Sequence, residues 1–256
     1  MKLTIIGAGN MGGAIARGLA QGRLVNNSDI TVCDPSHEKL KELNQEYPEI
    51  HTTSDNVSAT QGADLVILAV KPWLLKEIMS GIPLTDTQMV ASLAAGIPFA
   101  ELSQYAAAQT PLFRVVPNTA ISQLASFTAI AAQNATPAQQ QQLLDLFNEM
   151  GIAMIVPESQ IPAVTALTSC GIAFVLKYIQ AAMQAGVEMG VYPKDAMRMV
   201  AQAVKGAAEL ILNNDTHPSV EIDKVTTPGG ITIKGINELD HAGFSSAVIR
   251  AMKASR

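Results

Sequence analysis

The pattern of hydrophobic and polar positions divides this chain into two halves. In the first half, short apolar runs alternate with segments whose apolar residues recur at helical spacing. After Pro157 no further strand signal appears, and apolar residues keep helical spacing over 160–190 and 193–213, with Gly190 and Pro193 as stop and start signals. Strands are predicted at 3–6, 29–33, 64–70, 89–93, 112–116, 127–131 and 152–156. The pattern predicts an α/β fold: a doubly wound parallel sheet over 1–157, then an all-helical domain over 158–256.

A glycine motif stands between the first predicted strand and the helix that follows it. Gly7 allows a tight turn, Gly9 lets a pyrophosphate approach the backbone, and Gly12 lets the helix pack closely on the strand. This context predicts a Rossmann domain that binds a dinucleotide; the alternative is a glycine-rich turn that binds nothing. The expected cofactor contacts in this motif are Gly7, Gly9, Asn10, Met11 and Gly12.

The second strand ends at Asp34, about 20 residues past the motif, where an acid commonly accepts from ribose hydroxyls and disfavours a 2′-phosphate. This favours NADH as the cofactor. Ser36 and Lys39 are nevertheless able to receive a phosphate. Asp34 has an alternative role as the cap of the next helix.

Three later strands end in residues expected to lie beside the same cofactor, because ligands of such sheets lie outside the carboxyl ends of the strands. The small residues among them also fit ordinary packing. Asn118 has both a donor and an acceptor for the nicotinamide end, or it belongs to an ordinary Pro-Asn turn. The expected contacts are Ala69, Val70, Lys71, Pro72, Ala94, Ala95, Gly96 and Asn118.

The most informative stretch of the second half is a Pro-Gly-Gly sequence before a helix. Gly229 and Gly230 permit an anion-binding arrangement of backbone N–H groups, and hydroxyls flank them at Thr226, Thr227 and Thr232. A helix begins after the glycines, and its N-terminus suits a carboxylate or a phosphate. The alternative is a tight turn capped by threonine.

This stretch resembles the C-terminal signature of the pyrroline-5-carboxylate reductase family, which runs roughly HPxxLxDxVTSPGGTTIxGLxxLE. It departs from the signature at Glu221, Thr227 and Ile231. The resemblance extends to the family's AVKP, SIAAG and RxMPNTP segments, with Ala120 replacing a proline, and more weakly to its SGSGPAY segment, where Ile172 does so. The signature residues that match are His217, Pro218, Asp223, Val225, Thr226, Pro228, Gly229, Gly230, Thr232, Ile233 and Gly235.

The resemblance implies reduction of the cyclic imine 1-pyrroline-5-carboxylate to L-proline, the final step of proline biosynthesis. It implies that Thr232 is catalytic, near the ring nitrogen, and that Thr227, Gly229, Gly230 and Ile231 bind the substrate. Glu158 aligns with an acidic position near the family's substrate, although a solvated loop acid is the alternative, and Asn56 matches an asparagine near the cofactor.

The resemblance also implies NADPH, the cofactor that the family usually uses. It further implies a helical dimerisation domain and a homodimer or a ring of dimers. Two other functions stay open: an NAD(P)-dependent reductase of a related cyclic imine or 2-oxo acid, and a non-catalytic dinucleotide-binding protein.

The composition of the chain argues against several classes of binding partner. The 256 residues carry a net charge of −5 without a Lys/Arg cluster, which argues against nucleic acid and anionic membrane. No uninterrupted apolar run approaches the ~20 residues of a spanning helix, and Met1 leads straight into a strand, so we expect a soluble cytoplasmic protein. Two cysteines and four scattered histidines predict no metal site.

Overall fold

The computed structural model describes residues Met1–Arg256. The chain folds into two compact units, Met1–Ser169 and Cys170–Arg256, each described below by itself. The first unit extends beyond the predicted limit at 157 because its last residues bond to the sheet domain. Glu158 pairs with Arg114, the carbonyl of Thr168 accepts from the Asn118 amide, and the Ser169 hydroxyl donates to the carbonyl of Pro117.

The first unit is built on an eight-stranded sheet with the order β3-β2-β1-β4-β5-β6-β7-β8. Strands β1 to β6 are parallel; β7 is antiparallel to β6, and β8 is parallel to β7. The predicted doubly wound sheet is therefore confirmed. Strands β2, β4 and β5 are shorter than predicted by one to three residues, β7 is longer, and β8 begins and ends one residue earlier. The strands are β1 Leu3–Ile6, β2 Ile30–Cys33, β3 His51–Thr53, β4 Leu65–Leu68, β5 Met89–Ser92, β6 Leu112–Val116, β7 Ser126–Gln133 and β8 Gly151–Ile155.

Strand β3 was not predicted from the sequence. It lies at the edge of the sheet, it has only three residues, and its side chains are polar and at least partly exposed, so no apolar pattern marks it. By contrast, every residue of β4 is buried, as its continuous apolar run predicts.

The helices of the first unit cover both faces of the sheet and bury a core on each side. Successive strand residues face opposite sides, so Ile5 packs in the core with Phe113 and Phe147, whereas Ile6 packs in the other core with Leu68. The helices are α1 Asn10–Gln21, α2 His37–Glu46, α3 Asn56–Thr60, α4 Leu75–Gly81, α5 Phe99–Leu102, α6 Pro137–Asn148 and α7 Ile161–Val164. Short 3₁₀ helices lie at Asn27–Asp29, Pro72–Leu74, Ser103–Tyr105, Thr119–Gln123 and Glu158–Gln160.

The second unit is entirely helical, as predicted. The predicted helix over 160–190 begins as α7, passes through a π-helical segment at Thr165–Cys170, and continues as α8. It ends before Gly190, whose φ of +93° stops a helix, and Pro193 starts α9. The helices are α8 Gly171–Glu188, α9 Pro193–Asn214, α10 Pro218–Val225, α11 Ile231–His241 and α12 Phe244–Ala254.

Most apolar side chains of the second unit are exposed. Only Gly171, Gly186 and Ala196 are buried, and a Cβ on Gly186 would stand 3.1 Å from the Cβ of Ala196, so α8 and α9 pack closely there. Leu176 on α8 is 59% exposed. By length and composition, the helical stretch Glu158–Glu188 is long and apolar enough to cross a membrane, and 17% of its most apolar window is buried within the chain.

Candidate active site

The glycine loop after β1 has the geometry that the motif predicts. Gly7 has a φ of +104°, and a Cβ there would overlap the carbonyl oxygen of Ala69. A Cβ on Gly12 would overlap the carbonyl oxygen of Gly7 and stand 2.9 Å from the Cβ of Ala69. Gly9 differs, because a Cβ there would meet no atom within 4 Å. Nothing inside the chain requires glycine at position 9, so the missing side chain leaves open space for a ligand.

The N-terminus of α1 begins at this open space. Gly9 is its N-cap, no side chain caps the helix, and no acidic residue lies in its first turn. The first N–H groups of a helix have no intrahelical partner, and the helix dipole favours a negative charge there. Asn10, Met11 and Gly12 therefore form an N-terminus that suits a pyrophosphate.

The other predicted cofactor residues lie at the same edge of the sheet, because β1, β2, β4, β5 and β6 are parallel and their carboxyl ends meet there. Asn56 begins α3 after β3, and its side-chain oxygen accepts from the Cys33 thiol at 3.0 Å. The chain's one tryptophan, Trp73, follows Lys71 and Pro72 and is 75% exposed. The residues that follow β4 and β5 are Ala69, Val70, Lys71 and Pro72, and then Ala94, Ala95 and Gly96.

Asp34 lies at this edge but points into the protein. Its Oδ2 accepts from the backbone N–H of Ala8 at 2.7 Å, and its Oδ1 accepts from the N–H of Ser36 at 2.8 Å. The Nζ of Lys39 lies 3.6 Å from Oδ2. Ser36, not Asp34, is the N-cap of α2, so the alternative of Asp34 as the cap residue is wrong.

Asn118, at the end of β6, also uses its side chain internally. Its Oδ1 accepts from the N–H of Ala120 at 3.0 Å and caps the 3₁₀ helix at Thr119–Gln123. Its Nδ2 donates to the carbonyl of Thr168 at 3.1 Å, and the residue is buried. The amide thus fastens the π-helical segment to the end of β6, as a capped turn does, and its contact with nicotinamide stays a prediction.

The Pro-Gly-Gly stretch of the second unit forms a tight turn, the conformation that the sequence analysis gives as the alternative to an anion-binding arrangement. The N–H of Gly230 donates to the carbonyl of Thr227 at 2.9 Å, and Gly229 has a φ of +73°. Proline at the second position and a positive φ at the third are typical of a type II turn. Gly230 is the N-cap of α11, which begins at Ile231.

Because the N–H of Gly230 closes the turn, the N–H groups left for an anion are those of the first turn of α11. Neither Ile231 nor Thr232 has an intrahelical acceptor for its N–H at that end of the helix. The Thr232 side chain is exposed and its hydroxyl makes no hydrogen bond within the chain. Ile231 is 85% exposed.

Comparisons with known proteins agree with this arrangement. Residues 158–256 match the family described as pyrroline-5-carboxylate reductase dimerisation, and residues 2–96 match the family described as NADP oxidoreductase, coenzyme F420-dependent. The pyrroline-5-carboxylate reductase of Methanosarcina acetivorans is 37% identical, over 100% of this chain and 97% of that protein. The chain belongs to the pyrroline-5-carboxylate reductase family.

Two further proteins place the chain within this family. It is 36% identical to pyrroline-5-carboxylate reductase 1 of Dictyostelium discoideum over 99% of its length, but it spans only 48% of that protein. Among solved structures, a pyrroline carboxylate reductase of Plasmodium falciparum with NADP bound has a TM-score of 0.88 and 25% identity, covering 100% of this chain and 95% of that one.

One departure from the family signature, Glu221, has a local explanation. Glu221, where the signature has leucine, accepts from the Thr216 hydroxyl at 2.6 Å and from Lys224 at 2.7 Å. These hydrogen bonds, with Lys224 first, lower the pKa of the Glu221 carboxyl. The acid therefore links the turn before α10 to the next turn of that helix, where a leucine would have no polar partner.

Two signature residues cap the two ends of α10. His217 is the N-cap of α10, and its Nδ1 accepts from the N–H of Ser219. The Thr226 hydroxyl donates to the carbonyls of Ile222 and Asp223, so it caps the C-terminal end of α10.

Glu158 follows β8, which runs antiparallel to β1–β6. The carboxyl end of β8 therefore lies at the edge of the sheet opposite the cofactor edge. The Oε1 of Glu158 accepts from the guanidinium of Arg114 at 2.8 Å and from the N–H of Phe99 at 2.7 Å. Sequence reasoning missed this pair, although a charged residue inside the apolar strand LFRVV is a signal for a buried partner. Contact of Glu158 with substrate stays a prediction.

No group of three or more His, Cys, Asp or Glu side chains lies close enough together to hold a metal ion. The Cys33 thiol is buried beside Asp55 and Asp34, and burial first, then these acids, raise its pKa to about 11. It is therefore a protonated, structural side chain at neutral pH.

Proposed function

We propose that this chain reduces 1-pyrroline-5-carboxylate to L-proline with a reduced nicotinamide dinucleotide. The observation that carries the proposal is that this member of the family has both an open glycine loop and a turn that leads into a helix N-terminus. The first suits the pyrophosphate of the cofactor, and the second suits the carboxylate of the substrate.

The residues that hold the cofactor are those at the carboxyl edge of the sheet. The open position at Gly9 fits a pyrophosphate, and the N–H groups at the start of α1 offset its charge. The dinucleotide supplies a hydride, which forms the new C–H bond at the imine carbon as the nicotinamide is oxidised. Asn56, Ala69–Pro72, Ala94–Gly96 and Asn118 line the path along this edge.

The start of α11 anchors the substrate. Its free N–H groups at Ile231 and Thr232 bind the carboxylate, and the Thr227 hydroxyl lies beside Gly230, the N-cap that precedes them. A carboxylate at this place interacts favourably with the helix dipole in both the ground state and the transition state, so this contact contributes mainly to binding and orientation.

Thr232 has the one hydroxyl in the first turn of α11, and that hydroxyl is uncommitted. When the imine carbon accepts the hydride, the nitrogen keeps its proton and becomes the amine of proline. The neutral amine then takes up one proton, and a hydroxyl hydrogen-bonded to this nitrogen orients the ring and relays that proton from water. We assign that role to Thr232.

The exposed apolar faces of the second unit suit association of the chain with itself. Side chains such as Leu176 and Ile249 would otherwise remain in water. We propose a homodimer through these helices, with rings of dimers as the larger form. Self-association of this kind also accounts for the apolar stretch Glu158–Glu188. We further propose a cytoplasmic location, because the two free cysteines suit a reducing compartment.

The direct test is an assay of imine-dependent loss of absorbance at 340 nm, with L-proline identified as product. NADH and NADPH are supplied in separate reactions, and cofactor binding is measured without imine. Binding without turnover on any imine would favour the non-catalytic dinucleotide-binding protein. Faster turnover of a six-membered cyclic imine or a 2-oxo acid would favour a related reductase.

A further inference from the structure

The carboxylate of Asp34 connects the glycine loop to the turn after β2. One oxygen accepts from the N–H of Ala8 at 2.7 Å, and the other accepts from the N–H of Ser36 at 2.8 Å. Ala8 lies inside the glycine motif, 26 residues earlier in the chain. The two bonds therefore fix the path of a loop whose glycines would otherwise leave it many conformations.

Reading the ribose requires something that this carboxylate lacks. An acid that binds ribose hydroxyls must present an oxygen to the ligand, but Asp34 is only 6% exposed, and the hydrogen bonds from Ala8 and Ser36 hold its two oxygens towards the backbone. The Nζ of Lys39, 3.6 Å away, further offsets its charge. The repulsion that an open acid would exert on a 2′-phosphate is weakened in the same way.

We propose that Asp34 is a positioning residue, which holds the glycine loop in the shape that binds pyrophosphate, and that it does not choose between NADH and NADPH. The proposal rests on the proposed use of a nicotinamide dinucleotide. The position of the acid along the sequence indicates a preference for NADH. The proposal instead expects the binding of NADH and the binding of NADPH to depend equally on Asp34.

The groups left to meet a 2′-phosphate are Ser36 and Lys39. Ser36 is the N-cap of α2, yet its hydroxyl makes no capping hydrogen bond. The side chain of Lys39 is about half exposed, one turn along the same helix. Both belong to the N-terminus of α2, which follows the carboxyl end of β2, and an anion is favoured there. The proposal therefore expects NADPH to bind as well as NADH.

Fluorescence titration of apo protein separates the two roles of Asp34. Trp73, the one tryptophan, lies exposed at this edge and reports binding without any imine. Loss of charge-assisted hydrogen bonds in Asp34→Ser should raise both dissociation constants by on the order of tenfold, and by the same factor within about twofold. Asp34→Asn, which keeps one acceptor oxygen, should recover part of the loss for both cofactors. Loss confined to NADH would overturn the proposal.

Lys39→Gln is the matching change on the phosphate side. It should weaken NADPH several-fold and leave NADH unchanged, whereas the control Lys41→Gln, on an exposed position of the same helix, should change neither. If Lys39→Gln leaves NADPH binding unchanged, the assignment of the phosphate is wrong.

Hydrogen exchange of the Ala8 amide in apo protein tests the positioning role without any ligand. Asp34→Ser, which removes both carboxylate oxygens, should accelerate exchange at Ala8, and Lys39→Gln should not. Unchanged protection at Ala8 in folded Asp34→Ser would overturn the proposal even if cofactor affinity fell. Failure to reduce the imine would contradict the proposed function but would leave both the binding ratio and the exchange result intact.

Discussion

The hydroxyl oxygen of Thr227 lies 2.7 Å from the point where a Cβ on Gly230 would stand. The carbonyl oxygen of Thr227 lies 3.0 Å from the same point and also accepts the hydrogen bond that closes the turn. Gly230→Ala must therefore move Thr227, the start of α11, or both. We expect a higher KM and a lower kcat together, because the displaced groups bind the ground state and the transition state alike.

Steady-state kinetics with varied imine measures this change, and NADH affinity should stay near wild type. Gly81→Ala is the matched control, since a Cβ there meets no atom within 4 Å and the residue lies at the end of α4 in the other unit. If Gly230→Ala keeps both constants, the glycine pair is only a turn, and the carboxylate must bind elsewhere.

Thr232→Val removes one hydroxyl at nearly constant shape. We expect kcat to fall by about 10- to 100-fold, or about 1.4–2.8 kcal/mol, with a smaller change in KM, because the hydroxyl acts mainly as the imine accepts hydride. Thr226→Val is its control: that hydroxyl caps α10, so the variant should lose stability rather than kcat. Full activity of Thr232→Val would assign the proton transfer to ordered water.

Gly9→Val and Gly12→Ala test the glycine loop in opposite ways. Position 9 is open, so valine should leave the fold intact and abolish cofactor binding by filling the space for pyrophosphate. Position 12 touches Gly7 and Ala69, so even alanine should destabilise the sheet unit. Thermal unfolding and the Trp73 titration distinguish the two. Wild-type affinity in folded Gly9→Val would rule out a cofactor site at this loop.

The fold was largely predictable because its signals are local. The β4 run Leu65–Leu68, the glycine loop and the turn at 227–230 each have a sequence pattern that only a few conformations satisfy. The edge strand β3 lacks such a pattern, and a single predicted helix was interrupted by the π-helical segment Thr165–Cys170 because periodicity alone does not distinguish these forms.

The roles of polar side chains at the site were harder to predict. Asp34 and Asn118 stand where a cofactor contact is expected, but their oxygens accept from Ala8 and Ala120. Glu158 pairs with Arg114, 44 residues earlier. Such bonds depend on which segments the fold brings together, so residue type and position along a strand identify the site but not what each side chain binds.

The pKa of Cys33 predicts a loss of stability in alkali. Burial raises the pKa in the folded state to about 11, above the ordinary value near 8.5 of an unfolded thiol. The thiol's contribution is therefore complete below the unfolded pKa and is lost as the pH rises from about 9 towards 11. Cys33→Ala should unfold with a shallower decline over this interval, measured by urea titration at several pH values. An unchanged decline would contradict the buried, protonated thiol.

The pKa of Glu221 predicts a loss of stability in acid. Because this pKa is lowered, the contribution of the carboxyl is present above the unfolded value, about 4.3, and is lost as the pH falls through the folded pKa. Glu221→Gln should be less stable than wild type at neutral pH, and the difference should shrink below about pH 4. Kinetic constants at pH 7 should stay close to wild type. A large loss of kcat would instead implicate Glu221 in the site.

The apolar face of α8 predicts that the chain is not monomeric in solution. Leu176 is 59% exposed, and the neighbouring Val175 and Tyr178 are also exposed, although the helix is otherwise well formed. Light scattering should give at least twice the chain mass of 27.0 kDa. Leu176→Glu places a charge in the proposed interface, so it should lower that mass and reduce activity at low protein concentration. The control Gln142→Glu adds the same charge on the exposed side of α6 and should change neither. An active wild-type monomer would show that these apolar side chains serve something other than self-association, and the substrate site would then have to be complete within one chain.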